Sequence, residues 1–300
     1  MNARPLFIHA LSPLHAGTGQ GVGVIDLPIA REVATGLPFL PGSSVKGTLR
    51  DTPGIDAATH RLLFGPDTVN ASEHAGSVQF TDQRLLLMPV RSLAGTFAWV
   101  SSPYVLQRFA RDMRDAGQDF DLKLPSALEP DKAGNESCAV GEEVSAIIVA
   151  GVNRVVLEDL DLQPTKSSKV DAWAAWLGTQ LFPDGSVEAD YWRGCLAARL
   201  CIVRDDLLDF LLNTATEVTA RVRIEDEHKT VADAGLWYEE SLPTETILAG
   251  LVLASPVKNR DKQSLSVDEI FAAVKTLSAG PLQFGGKATV GRGLCRARLG

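Results

Sequence analysis

Nothing in these 300 residues approaches the apolar run of about 18 that a membrane-spanning helix needs. The opening MNARPLFIHALSPLHAG carries one arginine and too short an apolar stretch for a secretory signal. Cysteine is scarce: Cys138, Cys195, Cys201 and Cys295 form neither a CxxC pair nor a cluster with histidine. That spacing argues against structural zinc and points to reduced, mostly buried thiols in a cytoplasmic protein. Aromatic residues are only 6% of the chain, and no segment matches RNP1, which excludes a sheet that stacks bases on its aromatics. Histidines, the usual proton carriers, are His9, His15, His60, His74 and His228 alone.

The rest of the composition is that of an ordinary globular protein, 45% hydrophobic and 22% charged. The formal charge of −8 argues against nucleic acid only if it is spread evenly, and it is not. Residues 1–50 hold four basic and two acidic side chains, and residues 256–300 hold eight and three. The stretch between them carries 17 basic and 32 acidic, a net of −15. Binding to phosphates follows the local field, so two positive ends remain candidates, and the acidic middle suits a basic neighbour in an assembly.

One stretch organises the chain, LHAGTGQGVGVIDLPIAREVATGLPFLPGSSVKGTLRD at residues 14–51. Gly17, Gly19, Gly21 and Gly23 alternate with other residues, a pattern too costly in backbone entropy to serve a strand. Val22 stands where a dinucleotide fingerprint needs its third glycine, and no glycine here is followed by lysine and Ser/Thr as a P-loop requires. Ser43 or Ser44 is expected to cap a helix, leaving N–H groups for an anion, with Lys46 and Arg50 stacked one turn apart. That combination outlines a phosphate site; the plain alternative is a surface loop followed by an ordinary helix. A second glycine loop, residues 285–293, offers Gly285, Gly286, Lys287 and Arg292 to phosphate oxygens, or else a tight turn before an edge strand. Asp26 lies between Ile25 and Leu27, next to Pro28 and away from an evident cation. It either caps a turn, which the residues alone favour, or lends a carboxylate to catalysis or to a metal.

Patterning predicts a first strand over residues 3–11, a helix from near Ser43, a short helix in DAATHRLLFG, and strands over 77–88 and 95–101. Ser102 and Pro103 start a helix ending at Gly117, and 118–142 read as an exposed polar excursion. A strand-like run over 144–157 precedes an apolar helix from Asp171 to Phe182, whose Trp173 and Trp176 read as core. Residues 194–203 read as a strand, RDDLLDFLLN as a helix, and 217–242 as a long hairpin or arm. An apolar strand in TILAGLVLAS, a helix opened by the Ser266/Glu269 capping box and a terminal strand close the chain. The order fits a ferredoxin-like βαββαβ unit with insertions.

The segments LHAGTGQGVGVIDLPIARE, GLPFLPGSSVKGTLRD and FGGKATVGRG closely resemble the RAMP superfamily of CRISPR-associated proteins, and within it the backbone subunits of type III-B (Cmr) effectors. RVRIEDEHKTVADAGLWYEESLP resembles the thumb of the same subunits. The resemblance implies one elaborated α+β domain over 1–300, a ferredoxin-like palm with inserted helical segments and a β-hairpin thumb. Its palm is expected mainly from 1–52, 77–101, 144–203 and 245–300, and the thumb from about 217–242. It places Asp26 on the family's catalytic aspartate and Glu239 on a thumb acid of the same site, with His15 beside the glycine loop as a further candidate. Gly17, Gly19, Arg31, Ser43, Ser44, Lys46, Arg50, Gly285, Gly286, Lys287 and Arg292 become the expected RNA contacts.

The implied activity is metal-dependent cleavage of target RNA at regular intervals, in antiviral defence, with Asp26 holding Mg2+ or Mn2+. The implied partners are CRISPR guide RNA, complementary target RNA, copies of the chain stacked head to tail and other Cmr subunits, with no membrane. Alternatives within the superfamily are a non-catalytic RNA scaffold, a type III-A backbone subunit and a guide-processing endonuclease.

Overall fold

The computed structural model describes residues 2–19, 21, 24–66, 74–125, 128–130, 134–225, 228, 231–259 and 261–300, with 231–234 described by their backbone. The chain runs through β1 (Ala3–Ala10), β2 (Phe39–Leu40), α1 (Gly42–Asp51) and α2 (Ala57–Phe64). Next come β3 (Val78–Phe80), β4 (Gln83–Arg91), β5 (Phe97–Ser101) and α3 (Pro103–Asp115). Strands β6 (Ser137–Val140), β7 (Ile148–Val149), β8 (Arg154–Leu157) and β9 (Leu160–Lys166) precede α4 (Ser168–Leu181) and α5 (Val187–Arg199). Then follow β10 (Leu200–Val203), α6 (Asp205–Thr214), β11 (Glu217–Ile224) and β12 (Val231–Ser241). The last elements are β13 (Ile247–Ala254), α7 (Val267–Leu277), β14 (Pro281–Gln283) and β15 (Leu294–Leu299).

One mixed sheet has the order β14-β15-β1-β13-β4-β5-β10-β6-β9-β8-β7. Its segment β15-β1-β13-β4 is antiparallel throughout. With α1 after β1 and α7 after β13, these four strands and two helices form a βαββαβ unit in 4-1-3-2 order, the ferredoxin-like palm. The insertion, residues 92–246, leaves between the second and third palm strands. It prolongs the sheet beyond β4 and supplies the parallel pairs β5/β10 and β6/β9. Among the described strands, β11 and β12 stand apart as a two-stranded hairpin.

Strand β1 is buried on both faces, and the alternation of its side chains assigns the layers. Phe7 packs 5.8 Å from the Phe109 ring of α3 and 6.2 Å from Trp176 of α4. On the opposite face the Arg4 guanidinium lies over the Phe271 ring of α7. Trp173 is fully buried and Trp176 packs against the same core, as expected of residues that do not stack bases. Local signals hold where they were strongest. The Ser102 hydroxyl accepts the Val105 N–H with Pro103 following, and the reciprocal Ser266/Glu269 capping box opens α7.

Three expectations are corrected. Helix α1 starts at Gly42 after Pro41, and neither Ser43 nor Ser44 caps it; Asp82 reaches across to accept the Gly42 N–H at 2.9 Å. A cap from 40 residues away supplies the anion that the sequence left open. Residues 194–203 are not one strand: α5 continues to Arg199 and β10 begins at Leu200, since the run GCLAARLCIV is apolar enough for either state. Nor is 118–142 an exposed excursion. Phe120 and Leu128 enter the core, and β6 is a fully buried interior strand between β10 and β9. Residues 126, 127 and 131–133 of that stretch lie outside the described residues. Among the described residues no helix is long and apolar enough to cross a membrane.

Candidate active site at the root of the hairpin

The hairpin is legible in EVTARVRI because alternation puts Val218, Ala220 and Val222 on one face and Thr219 and Arg221 on the other. Antiparallel register sets Thr219 opposite Glu239, Ala220 opposite Tyr238 and Val222 opposite Leu236. The centre of the hairpin, 226, 227, 229 and 230, lies outside the described residues. At its root, β12 meets the strap of residues 26–31 that follows the first glycine loop. Leu27 bridges Glu239 in parallel, with Leu27 N–H donating to the Tyr238 carbonyl at 3.1 Å and Glu240 N–H to the Leu27 carbonyl at 3.0 Å. The other side of the strap pairs with residues 16–18, through Ala30 N–H to the Ala16 carbonyl at 2.7 Å. The strap therefore lies between the glycine loop and the hairpin, joined to each by an isolated β-bridge.

Asp26 opens this strap and is exposed. Its Oδ2 accepts the Tyr238 N–H at 2.8 Å, while its own carbonyl accepts the Gly21 N–H at 2.8 Å. Among the described residues its carboxylate has no other hydrogen bond, so one oxygen is fixed by the hairpin and the other is left unbonded on an exposed side chain. The loop is closed by the Asp26 backbone, while its side chain reaches across to the hairpin. Gln20, Val22 and Gly23 of the loop lie outside the described residues.

Glu239 is placed differently. It is buried, and its Oε1 accepts from Lys287 Nζ and from Trp237 Nε1, both at 2.8 Å. Its Oε2 meets Arg221 Nε at 3.3 Å. Burial raises the carboxyl's pKa, but the Lys287 ammonium, the Trp237 indole and the Arg221 guanidinium outweigh it and hold the group at about 2. A carboxylate saturated in this way is a fixed anion; it holds no proton to donate near neutral pH.

His15 is buried, and its Nδ1 bonds to the Glu240 carbonyl at 2.7 Å. Two of the expected RNA-binding glycines make room for it. A Cβ on Gly17 would stand 2.5 Å from His15 Nε2, and one on Gly285, at φ 71°, would stand 2.3 Å from the His15 carbonyl oxygen. Gly286 donates its N–H to that same carbonyl at 2.9 Å. The two glycine loops, far apart in sequence, thus close on one histidine.

The expected cationic contacts divide. Arg31 binds Glu240 at 2.6 Å, Lys287 binds Glu239, and Arg292 binds Glu217 at 2.9 Å and Thr219 at 3.2 Å. All three join the palm to the base of the hairpin. Lys46 and Arg50 lie together on α1, half-buried, and Arg50 donates to the Pro66 carbonyl at 3.1 Å. Ser43 is exposed on the same helix, Ser44 half-buried, and Gly19 turns at φ 97° with open space around it. Helix α1 touches the second glycine loop's approach through Thr48, whose hydroxyl donates to the Gln283 carbonyl at 3.0 Å.

Sequence reasoning missed Glu240, Glu217, Trp237 and the Tyr238 N–H. The one available signal was the alternation of the hairpin, which puts Glu217, Glu239 and Trp237 on the polar face with Arg221. Among the described residues no three His, Cys, Asp or Glu gather as a metal cage. A magnesium ion does not require one, since it keeps several waters and takes one or two carboxylates plus substrate phosphates. The unbonded oxygen of Asp26 fits that mode of binding.

A family model described as the RAMP superfamily matches residues 7–296. The CRISPR system Cmr endoribonuclease Cmr4 of Pyrococcus furiosus is 33% identical over 310 residues, covering 100% of this chain and 96% of that protein. The CMR subunit Cmr4 of Saccharolobus solfataricus is 23% identical over 308 residues, covering 98% and 96%. A crystal structure of oligomeric Cmr4 from Pyrococcus furiosus superposes with a TM-score of 0.72 at 29% identity, covering 100% of this chain and 98% of that one.

Proposed function

The chain belongs to the RAMP superfamily, and from that premise we propose that it is the guide-bound backbone subunit of a type III-B (Cmr) effector and cuts the target RNA paired to its guide. The observation that carries the reading is the exposed Asp26 carboxylate, held by the Tyr238 N–H at the root of the hairpin. Similarity over the full length to a protein named an endoribonuclease supports it. Copies stack head to tail along the guide, so one cut per subunit gives regular spacing. The hairpin of one copy reaches over its neighbour and opens the guide–target duplex. The net −15 of the middle of the chain suits contact with basic surfaces of other subunits.

In the cleavage step the target's own 2′-oxygen attacks the adjacent phosphorus in line, and the P–O5′ bond breaks as the P–O2′ bond forms. The unbonded Asp26 oxygen accepts the proton of the 2′-hydroxyl, and the departing 5′-oxygen takes a proton from water. The products are a 2′,3′-cyclic phosphate and a 5′-hydroxyl. A divalent ion, Mg2+ or Mn2+, held by Asp26 and phosphate oxygens would supply Lewis-acid stabilisation of the phosphoryl charge. Glu239 and His15 do not donate protons in this scheme: Glu239 holds the hairpin and His15 the two glycine loops.

The test is a reconstituted guide-loaded complex given end-labelled target RNA and magnesium. Evenly spaced fragments ending in cyclic phosphate are expected. A single cut, or fragments with 3′-hydroxyl and 5′-phosphate ends, would overturn the reading.

A further inference from the structure

Asp26 is anchored by one hydrogen bond to a backbone N–H, so its aim depends on whatever fixes the strap against β12. The backbone ladder between them ends at Glu240 N–H to the Leu27 carbonyl. The next strap donor, Ile29 N–H, bonds to Glu240 Oε2 at 3.1 Å. Glu240 thus continues the ladder with its side chain. Ile29 is 3% exposed, so without that acceptor its N–H would be buried and unpaired.

The other oxygen, Glu240 Oε1, is held by Arg31 Nη2 at 2.6 Å. The same guanidinium donates to the Leu212 carbonyl at 2.9 Å and to the Gly36 carbonyl at 3.1 Å. Arg31 therefore ties the strap to α6 and to the following turn while it neutralises a carboxylate that is 3% exposed. The Glu240 carbonyl, in turn, bonds to His15 Nδ1. Every polar group of Glu240 is thus used, two of them by Leu27 and Ile29, within three residues of Asp26.

We infer that Arg31 and Glu240 are a positioning pair for Asp26, locking the strap to the hairpin so that the unbonded carboxylate oxygen keeps one place. The inference rests on the catalytic reading of Asp26 and goes beyond it by reassigning Arg31 from RNA contact to positioning residue. Lysine cannot replace Arg31 fully, because a single ammonium cannot serve the carboxylate and both carbonyls with the planar fork of a guanidinium. Glutamine at 240 can still accept from Ile29, yet it leaves Arg31 without its counter-charge.

The experiment compares Arg31→Lys, Glu240→Gln and Asp26→Asn in the guide-loaded complex. It measures single-turnover cutting at saturating target, target affinity, and amide exchange at Ile29 and Tyr238 in the free chain. For Arg31→Lys and Glu240→Gln, cutting should fall by about 10²-fold, as misplacement of about 1 Å can cause, at unchanged target affinity. Amide exchange at Ile29 and Tyr238 should speed up in both. Asp26→Asn should lower cutting roughly 10²- to 10⁴-fold and leave the Ile29 amide protected. Full-rate cutting by folded Arg31→Lys and Glu240→Gln, beside a slowed Asp26→Asn, overturns the positioning role and spares the catalytic one. Normal cutting by Asp26→Asn removes the catalytic reading itself. Loss of affinity in step with cutting makes Arg31 an RNA contact and overturns the pair. If a single variant fails to fold, Arg31→Met/Glu240→Gln removes both charges together, leaves no buried ion unpaired, and is expected to cut equally slowly.

Discussion

Glu239 keeps its charge inside the protein because three donors surround it. Its carboxyl titrates at about 2 when folded, against 4.5 as the ordinary value. A carboxyl depressed on folding stabilises the protein fully above its unfolded pKa, and that stabilisation is lost as pH falls from about 4.5 through about 2. Its size is on the order of 3 kcal/mol, at about 1.4 kcal/mol for each tenfold change in proton affinity. Chemical denaturation of wild type and Glu239→Gln across that window should give stability curves that converge toward low pH. Parallel curves would show that the Lys287 contact contributes no pH-dependent stability. The residue scale is also where the sequence was least legible. Asp26 and the glycine loops could be picked out because their local context is unusual. Glu240 could not, since one glutamate beside another in YEES carries no signal and its partner Arg31 lies 209 positions away.

The hairpin was read correctly because strict alternation has no helical equivalent, and α7 because a capping box is a local device. Elements that depend on distant partners were read less well: the cap of α1 comes from Asp82, and β6 is a strand because β9 and β10 flank it. The hairpin also divides into two parts. Its root is clamped by Glu217, Glu239 and Glu240, while Val222, Ile224 and Leu236 are exposed further along. Replacing residues 223–235 with an Asn-Gly turn keeps Val222 opposite Leu236 and leaves the clamp in place. The palm should stay folded with Asp26 held, and the complex should lose evenly spaced cutting. Unchanged spacing in the trimmed complex would mean that the outer hairpin does not set it.

At the scale of the whole molecule, the βαββαβ order was legible at the two ends of the chain, but the palm is narrower than expected: residues 97–101 and 144–203 belong to the insertion, whose strands extend the same sheet and so carry the same pattern. What composition could not reveal is which cations are already used. Arg31, Lys287 and Arg292 hold the hairpin, so the excess of positive charge at the two ends overstates the surface open to phosphate. Lys46→Glu should weaken RNA binding for all sequences alike and lower the salt slope by about one. Arg292→Gln, at a side chain 11% exposed, should lower stability and leave that slope unchanged. A reduced slope in Arg292→Gln would place that side chain on the RNA.

Cutting by an Asp26 carboxylate is tested most directly by Asp26→Asn in the reconstituted, guide-loaded complex, with binding and cleavage of one labelled target scored together. Asparagine has nearly the same shape, and its amide oxygen can still accept the Tyr238 N–H, so strap, hairpin and RNA path are preserved. Loss of acid–base help alone should lower the rate roughly 10²- to 10⁴-fold at unchanged target affinity. Cleavage at the wild-type rate by a complex that binds its target normally would contradict a catalytic Asp26.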